Sequence, residues 1–277
     1  MHVAAINNCP AKKRLSHAVL LPSLAHHFYA AITMEFSFPA IGIVHSCFKE
    51  KFGIPRQPGL APLARAEIEL LPPYDDKSAF DGLEGCTHLW IQFVFHMNRH
   101  ANKREEWKPK VKPPRLGGNK SLGVFATRSP TRPAPIGLSV VRYEGVIERE
   151  GKLLVQISGV DLLEGTPVLD IKPYVPYVDA VPDAQNSFAA APPELIPVDI
   201  PTELLAQCAD YQTRTGTNLA GLITQILQQD PRPQYQQPDA ERIYGMKLLD
   251  LDVQWRYLLD DNRRLIQLTG IIPCHSA

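Results

Sequence analysis

Apolar and polar positions alternate with a period near two along the first two-thirds of the chain. Between Phe36 and about Tyr174, seven short stretches read as strands: 40–47 (AIGIVHSC), 66–71 (AEIELL), 88–96 (HLWIQFVFH), 123–127 (GVFAT), 137–148 (GLSVVRYEGVIE), 152–159 (KLLVQISG) and 166–172 (TPVLDIK). In the fifth, Val140, Arg142 and Glu144 fall on one face, and Val141 and Tyr143 on the other. Short strands punctuated by Gly and Pro predict a mainly β domain, either a barrel or a sandwich. One short helix is predicted within 75–85, where Phe80 and Leu83 share a face.

After Tyr174 the pattern changes. Residues 175–197 are rich in Pro and Ala, lack periodicity and read as a linker. Helical spacing follows in 201–216 and 217–230, the second with a stripe of Leu219, Leu222, Ile223, Ile226 and Leu227. Thr217 or Asn218 can cap that helix, and Pro231 and Pro233 end it. Two or three strands in 242–258 and 263–272 complete a small α+β unit. The expected organisation is an extension over 1–34, a β domain over 35–180 and an α+β domain over 195–277. Met34 opens MEFSFPAIGIVHS, which reads like a natural domain start, so residues 1–33 are expected to be poorly ordered or to derive from an upstream start codon. Its apolar run is broken or flanked by His17, Pro22, His26 and His27, which argues against an export signal.

Composition narrows the chemistry. The 277 residues carry no net charge, so a nucleic-acid partner has to be met by a local basic patch. Five scattered cysteines without a Cys-x-x-Cys pair fit a reducing cytoplasm, and the histidine clusters His26-His27 and His96…His100 have no Cys or carboxylate at ligand spacing beside them, so no metal is expected. No run reaches the ~18 apolar residues of a membrane span. Neither a strand followed by G-x-G-x-x-G and a helix, nor a P-loop, nor a G-x-S-x-G elbow occurs, so any cofactor is held by loops of the β domain.

Five segments concentrate candidate chemistry. KFGIPRQPG (51–59) is a rigid turn around Arg56, and FVFHMN (93–98) runs a strand into His96 and Met97. Residues 99–115 hold seven basic residues against Glu105 and Glu106, with Trp107 among them. Phosphate neutralisation beside a stacking ring suits single-stranded RNA, and Lys110, Lys112 and Trp107 are the candidates; a solvated loop is the alternative. VFATRSPTRPAPIG (124–137) sets Arg128 and Arg132 among three prolines, which exclude a helix and offer two stiffly held guanidinium forks. GVDLLEGTPVLDIKPY (159–174) carries Asp161 and Glu164 on a turn, then Asp170 and Lys172 on one strand face, either an ion pair or a charged pair at a site mouth.

In this order KEKFGIPRQPG, HLWIQFVFH, PPRLGG, GVFATRSPTRPAPIG and DLLEGTPVLDIKPY resemble the signatures of the TsaA-like family, and QDPRPQY (229–235) resembles a motif of its bacterial members' C-terminal domain. The resemblance runs from about Glu35 to Gly270. It implies a small β-barrel that binds S-adenosylmethionine, a following α+β domain, a homodimer with the cofactor near the interface, and N6-methylation of threonylcarbamoyladenosine at position 37 of tRNA. By motif match, it places cofactor contacts on Pro55, Arg56, Gln57, His96, Met97, Arg128, Leu138, Asp161, Leu162, Leu163 and Glu164. Glu164 stands where Asp is also common in the family.

The N6 nitrogen attacks the sulfonium methyl, but acylation delocalises its lone pair, so a base within hydrogen-bond reach would help. Asp170 is the candidate base, with Lys172 and Tyr174 as orienting groups. Arg132 is the candidate reader of the substrate's threonyl carboxylate, and Arg232 and Tyr235 of QDPRPQY are candidates for anticodon-loop contact. Two other readings remain open: an RNA-binding module with a degenerate cofactor pocket, and a methyltransferase acting on another substrate.

Overall fold

Alternating side chains dictate the first sheet. The computed structural model describes residues 36–98, 108–113, 121–233, 235–260 and 263–274. β1 (Gly42–Ser46), β2 (Arg65–Leu70) and β3 (His88–Val94) come first. The two-residue strands β4 (Lys110–Val111) and β5 (Leu122–Gly123) pair only with each other. β6 (Ile136–Arg149), β7 (Lys152–Ser158) and β8 (Pro167–Pro173) complete the set. In β3, Leu89, Ile91 and Phe93 are buried while Trp90, Gln92 and Val94 face outward, as period two requires. Six strands pair antiparallel in the closed order β1-β2-β7-β6-β3-β8, with β8 returning to β1. Closure removes the free edge that an open sheet would expose. β6 serves two neighbours: its first half pairs with β3 and its second with β7, bending at a bulge between Tyr143 and Gly145.

Two expectations differ from the structure. The strand expected over 123–127 stops at Gly123, and Val124–Ala126 form a 3-10 turn. Thr127 closes that turn by donating its hydroxyl and its amide to the Val124 carbonyl, at 2.9 and 3.1 Å. The helix expected within 75–85 is two 3-10 turns, Lys77–Phe80 and Leu83–Gly85. Gly82, at φ +91°, separates them.

The C-terminal half begins with β9 (Val198–Asp199), followed by α1 (Thr202–Thr215) and α2 (Leu219–Leu227). Gly216 ends α1 at φ +75°, a left-handed cap that glycine adopts freely. Asn218 caps α2 by accepting from the Gly221 amide at 3.0 Å, and the expected apolar stripe is buried. β10 (Tyr244–Leu248), β11 (Leu251–Asp260) and β12 (Arg263–Pro273) form a four-stranded sheet with β9, in the order β10-β11-β12-β9.

The two sheets are joined by backbone as well as side chains. Phe48 and Leu248 form a β-bridge, and the Leu249 amide donates to the Cys47 carbonyl at 2.7 Å. The Leu63 amide donates to Gln225 Oε1 at 2.9 Å. One apolar core runs through both, and Pro39–Ala277 form one compact unit.

Candidate active site

The ends of β3, the start of β6 and the turns after β1 and β7 converge on a cavity of about 680 Å³. Its inner wall depends on a glycine. Gly137 pairs with Phe93 across β6 and β3, and the Phe93 ring occupies the space where a Cβ on residue 137 would stand. Phe95 meets Phe93 edge-on, with centroids 5.1 Å apart. Next along β6, the buried Ser139 donates its hydroxyl to Asp161 Oδ1 at 2.6 Å.

Asp161 is the one carboxylic acid among the described residues lining this cavity. Burial pushes its carboxyl up to about 6, although Ser139, its own amide and the charge of Arg128 favour the ionised form. Arg128 donates to Gln57 Oε1, which ties the proline-rich loop to the 51–59 turn. Asn98 ties the same loop to the end of β3 by donating to the Pro130 carbonyl. Arg132 Nη1 donates to the Thr127 carbonyl at 3.1 Å, which folds its guanidinium back over its own loop at the cavity. Lys51 Nζ donates to the Met97 carbonyl at 2.7 Å. Burial lowers the pKa of His96, and the nearby Lys51 charge adds to this, so its imidazole is neutral at neutral pH. The rim is apolar: Met97, Leu138 and Ile136 are 56, 51 and 42 % exposed. A pocket with one acid among its described lining residues, several cations and aromatic walls suits a small ligand carrying both signs of charge.

The comparisons with known proteins bear on this arrangement. Residues 43–180 match the family model for the tRNA-methyltransferase O N-terminal domain, and residues 193–269 match that for the TrmO C-terminal domain. A Pseudomonas aeruginosa protein, RcsF, provisionally named an S-adenosylmethionine-dependent methyltransferase, is 52 % identical over 86 % of this chain and 99 % of its own. The chain belongs to the TrmO family. An Escherichia coli relative named tRNA (adenine(37)-N6)-methyltransferase is 43 % identical over 80 % of this chain and 93 % of its own. The crystal structure of TrmO from Pseudomonas aeruginosa has a TM-score of 0.70 at 45 % identity and covers 86 % of this chain and 98 % of that one.

Within this TrmO-family pocket the structure brings together Pro55, Arg56, Gln57, His96 and Met97. Arg128, Arg132, Leu138, Asp161 and Leu163 line the same cavity, with Arg128 bonded to Gln57. The remaining sequence candidates lie elsewhere. Leu162 is buried in the core. Glu164 points away from the cavity: its Oε1 bonds His45 Nδ1 at 3.1 Å, and its Oε2 accepts from the Ser46 amide at 2.7 Å and Lys49 at 2.8 Å. Burial disfavours its charge, yet these partners more than offset that and hold its pKa below the usual carboxylate range. Glu164 thus fastens the turn that carries Asp161 and Leu163 to β1.

None of Asp170, Lys172 and Tyr174 lines the cavity. Asp170 and Lys172 form an ion pair at 2.5 Å, and Tyr174 packs on Trp90 with centroids 5.9 Å apart. Lys110 and Lys112 are exposed on and beside β4, away from the cavity lining, and Trp107 lies outside the described residues. Tyr235 is 55 % exposed, whereas the Arg232 side chain is buried against Asp230 and Tyr257, out of reach of a phosphate. Sequence reasoning missed Phe93, Gly137 and Ser139 as parts of the site. The sequence signal was a glycine, Gly137, inside a strand pattern, which marks a bulge or a close approach; that Phe93 stands opposite it is visible only in the structure.

Among the described residues no group of three His, Cys, Asp or Glu is placed to hold a metal, and no helix is long and apolar enough to cross a membrane.

Proposed function

We propose that this chain methylates N6 of threonylcarbamoyladenosine at position 37 of tRNA, with S-adenosylmethionine as methyl donor. One observation carries the reading: segments 51–59, 93–98, 124–138 and 161–163, distant in sequence, converge on one cavity in a chain with a relative named tRNA (adenine(37)-N6)-methyltransferase. The closed six-stranded sheet is then the cofactor-binding barrel, residues 35–180 its domain, and 195–277 an α+β domain that completes it. The matched family ranges support these limits.

The residues fit the cofactor. The cavity of about 680 Å³ is within the usual range for small-molecule sites, ~300–1,000 Å³. Phe93 and Phe95 offer apolar surface, Arg128 a partner for a carboxylate, and Asp161 one for a cation or a hydroxyl. Bound S-adenosylmethionine supplies an electrophilic methyl group, which N6 takes while its proton leaves and S-adenosylhomocysteine is released. The chain's part is to hold and orient both partners and to receive that proton. His96, neutral at neutral pH, and Asp161 are the proton acceptors that line the cavity. Arg132 supplies a fork for the threonyl carboxylate. The exposed apolar rim supports a homodimer with the cofactor near the interface, and the homologues' tRNA substrate agrees with a cytoplasmic location.

Nucleoside mass spectrometry of tRNA from cells with and without the gene tests the reading. Loss of the N6-methylated nucleoside is expected, and unchanged levels overturn it. Arg132→Ala should lower kcat/KM on tRNA roughly 10–100-fold, the loss of a hydrogen-bonded charge, and leave cofactor affinity within about twofold. Arg128→Ala should lower both. Methylation by Arg132→Ala at the wild-type rate would show that the substrate carboxylate is read elsewhere.

A further inference from the structure

The turn carrying Pro55, Arg56 and Gln57 has two sides. One faces the cavity; the other rests on the C-terminal sheet. Phe52 stacks on Trp255, with ring centroids 5.9 Å apart and planes within 7°. Gly53, at φ +91°, lies against Met246 so closely that a Cβ would sit 2.5 Å from its Sδ. Further along, Arg56 Nη2 donates to the backbone carbonyl of Arg232 at 3.3 Å.

That carbonyl is held by an unusual device. Arg232 is buried at 3 % exposure. Its Nη2 pairs with Asp230 Oδ2 at 2.8 Å, its Nη1 donates to the Gln236 carbonyl, and its Cζ lies 5.0 Å from the centre of the Tyr257 ring. The Tyr257 hydroxyl donates to the second Asp230 oxygen at 2.8 Å. Asp230 itself sits at φ +50°, a conformation that non-glycine residues seldom adopt. Arg232 Nε is buried with no hydrogen-bond partner among the described residues.

A buried arginine with one unmet donor is a costly way to close a seam that apolar packing could close. Its geometry does something packing cannot: it fixes the backbone at Asp230 and Arg232 so that the Arg232 carbonyl faces Arg56.

We propose that Asp230 and Arg232 are positioning residues for the cofactor pocket, presenting the Arg232 carbonyl to Arg56 and so orienting the Arg56 guanidinium at the cavity wall. The C-terminal sheet is thereby part of the pocket's construction, and the buried part of QDPRPQY acts through Arg56 rather than on RNA. This rests on the proposed cofactor reading.

The test is a double-mutant cycle on the full chain. Calorimetry gives the Kd of S-adenosylmethionine for the wild type, Asp230→Asn, Arg56→Ala and the double variant, with melting temperatures alongside. Asp230→Asn should raise Kd roughly tenfold when Arg56 is present and by less than about twofold in the Arg56→Ala background. A lower melting temperature with unchanged Kd, or the same fold-change in both backgrounds, overturns the proposal. If Asp230→Asn does not fold, Tyr257→Phe takes its place in the cycle, because it removes one bond to Asp230 and keeps the ring beneath Arg232; a smaller shift with the same dependence on Arg56 is expected, and no dependence overturns it. A wild type that binds while the cycle shows no coupling defeats this inference alone, whereas a wild type that fails to bind defeats the functional reading as well.

Discussion

Gly137→Ala is expected to destabilise the fold and damage the pocket in one step. The new methyl group would stand 2.7 Å from Phe93 Cε1 and nearer still to Cζ and Cε2. Backbone strain is not the cause, since residue 137 lies in regular β6 and is not among the positive-φ glycines. The cost is overpacking: the Phe93 ring has to leave its place in the core between β3 and β6. Forced methyl groups in packed interiors cost about 1–3 kcal/mol, several degrees of melting temperature for a chain of this size. Because Phe93 and Gly137 both line the cavity, the displaced ring moves into the volume where the cofactor is proposed to bind. S-adenosylmethionine affinity should therefore fall by more than about tenfold, beyond what a general loosening would give. Shortening the ring separates the two effects. Phe93→Leu alone is destabilising, but in the Gly137→Ala background it should recover part of the lost melting temperature, a non-additivity that follows from direct contact. Strictly additive effects would show that the ring is free to move aside, and the glycine would then have no special place in the site.

This pair also shows what the sequence carries and what it lacks. β3 was legible because Leu89, Ile91 and Phe93 recur with period two and are its buried face, whereas β6 was legible as a strand but not in which face it buries, since its first half buries Gly137 and Ser139 and exposes Ile136 and Leu138. β4, β5 and β9 are two residues long, and nothing within them distinguishes a strand from a loop; their pairing is decided by what lies alongside. The same limit governs the site. Asp161 and Glu164 stand three apart on one turn and look alike in sequence, yet Asp161 turns inward to Ser139 and Glu164 outward to His45 and Lys49, more than a hundred residues away. Asp170 and Lys172 do share a strand face and pair, but that face lies off the cavity. Arg232 reads as a surface cation beside an exposed tyrosine until Tyr257, from β11, closes over it. Charge is visible in a sequence; the distant partner that buries it is not.

Asp161→Asn should strengthen the fold while weakening the site. A carboxyl that titrates near 3.8 in the unfolded chain titrates at about 6 here, because burial disfavours its ionised form. The folded state therefore holds its proton more tightly than the unfolded state does. The stability this group contributes is complete below about pH 4 and is lost as pH rises from there through about 6. At pH 7 the ionised carboxylate costs the fold on the order of 2–3 kcal/mol. Asparagine keeps the shape and can still accept from Ser139, but it carries no charge to bury. The ligand-free variant should therefore melt several degrees above the wild type at pH 7, and the two curves should converge near pH 4. Addition of S-adenosylmethionine should reverse the order, since the wild type gains stability from binding and the variant, having lost the one acid among the described lining residues, gains little. A variant that melts below the wild type at pH 7, or by the same margin at every pH, would show that Asp161 is held ionised by partners stronger than its burial. The expected crossing on adding ligand is what a residue kept for binding, at the expense of the empty fold, has to produce.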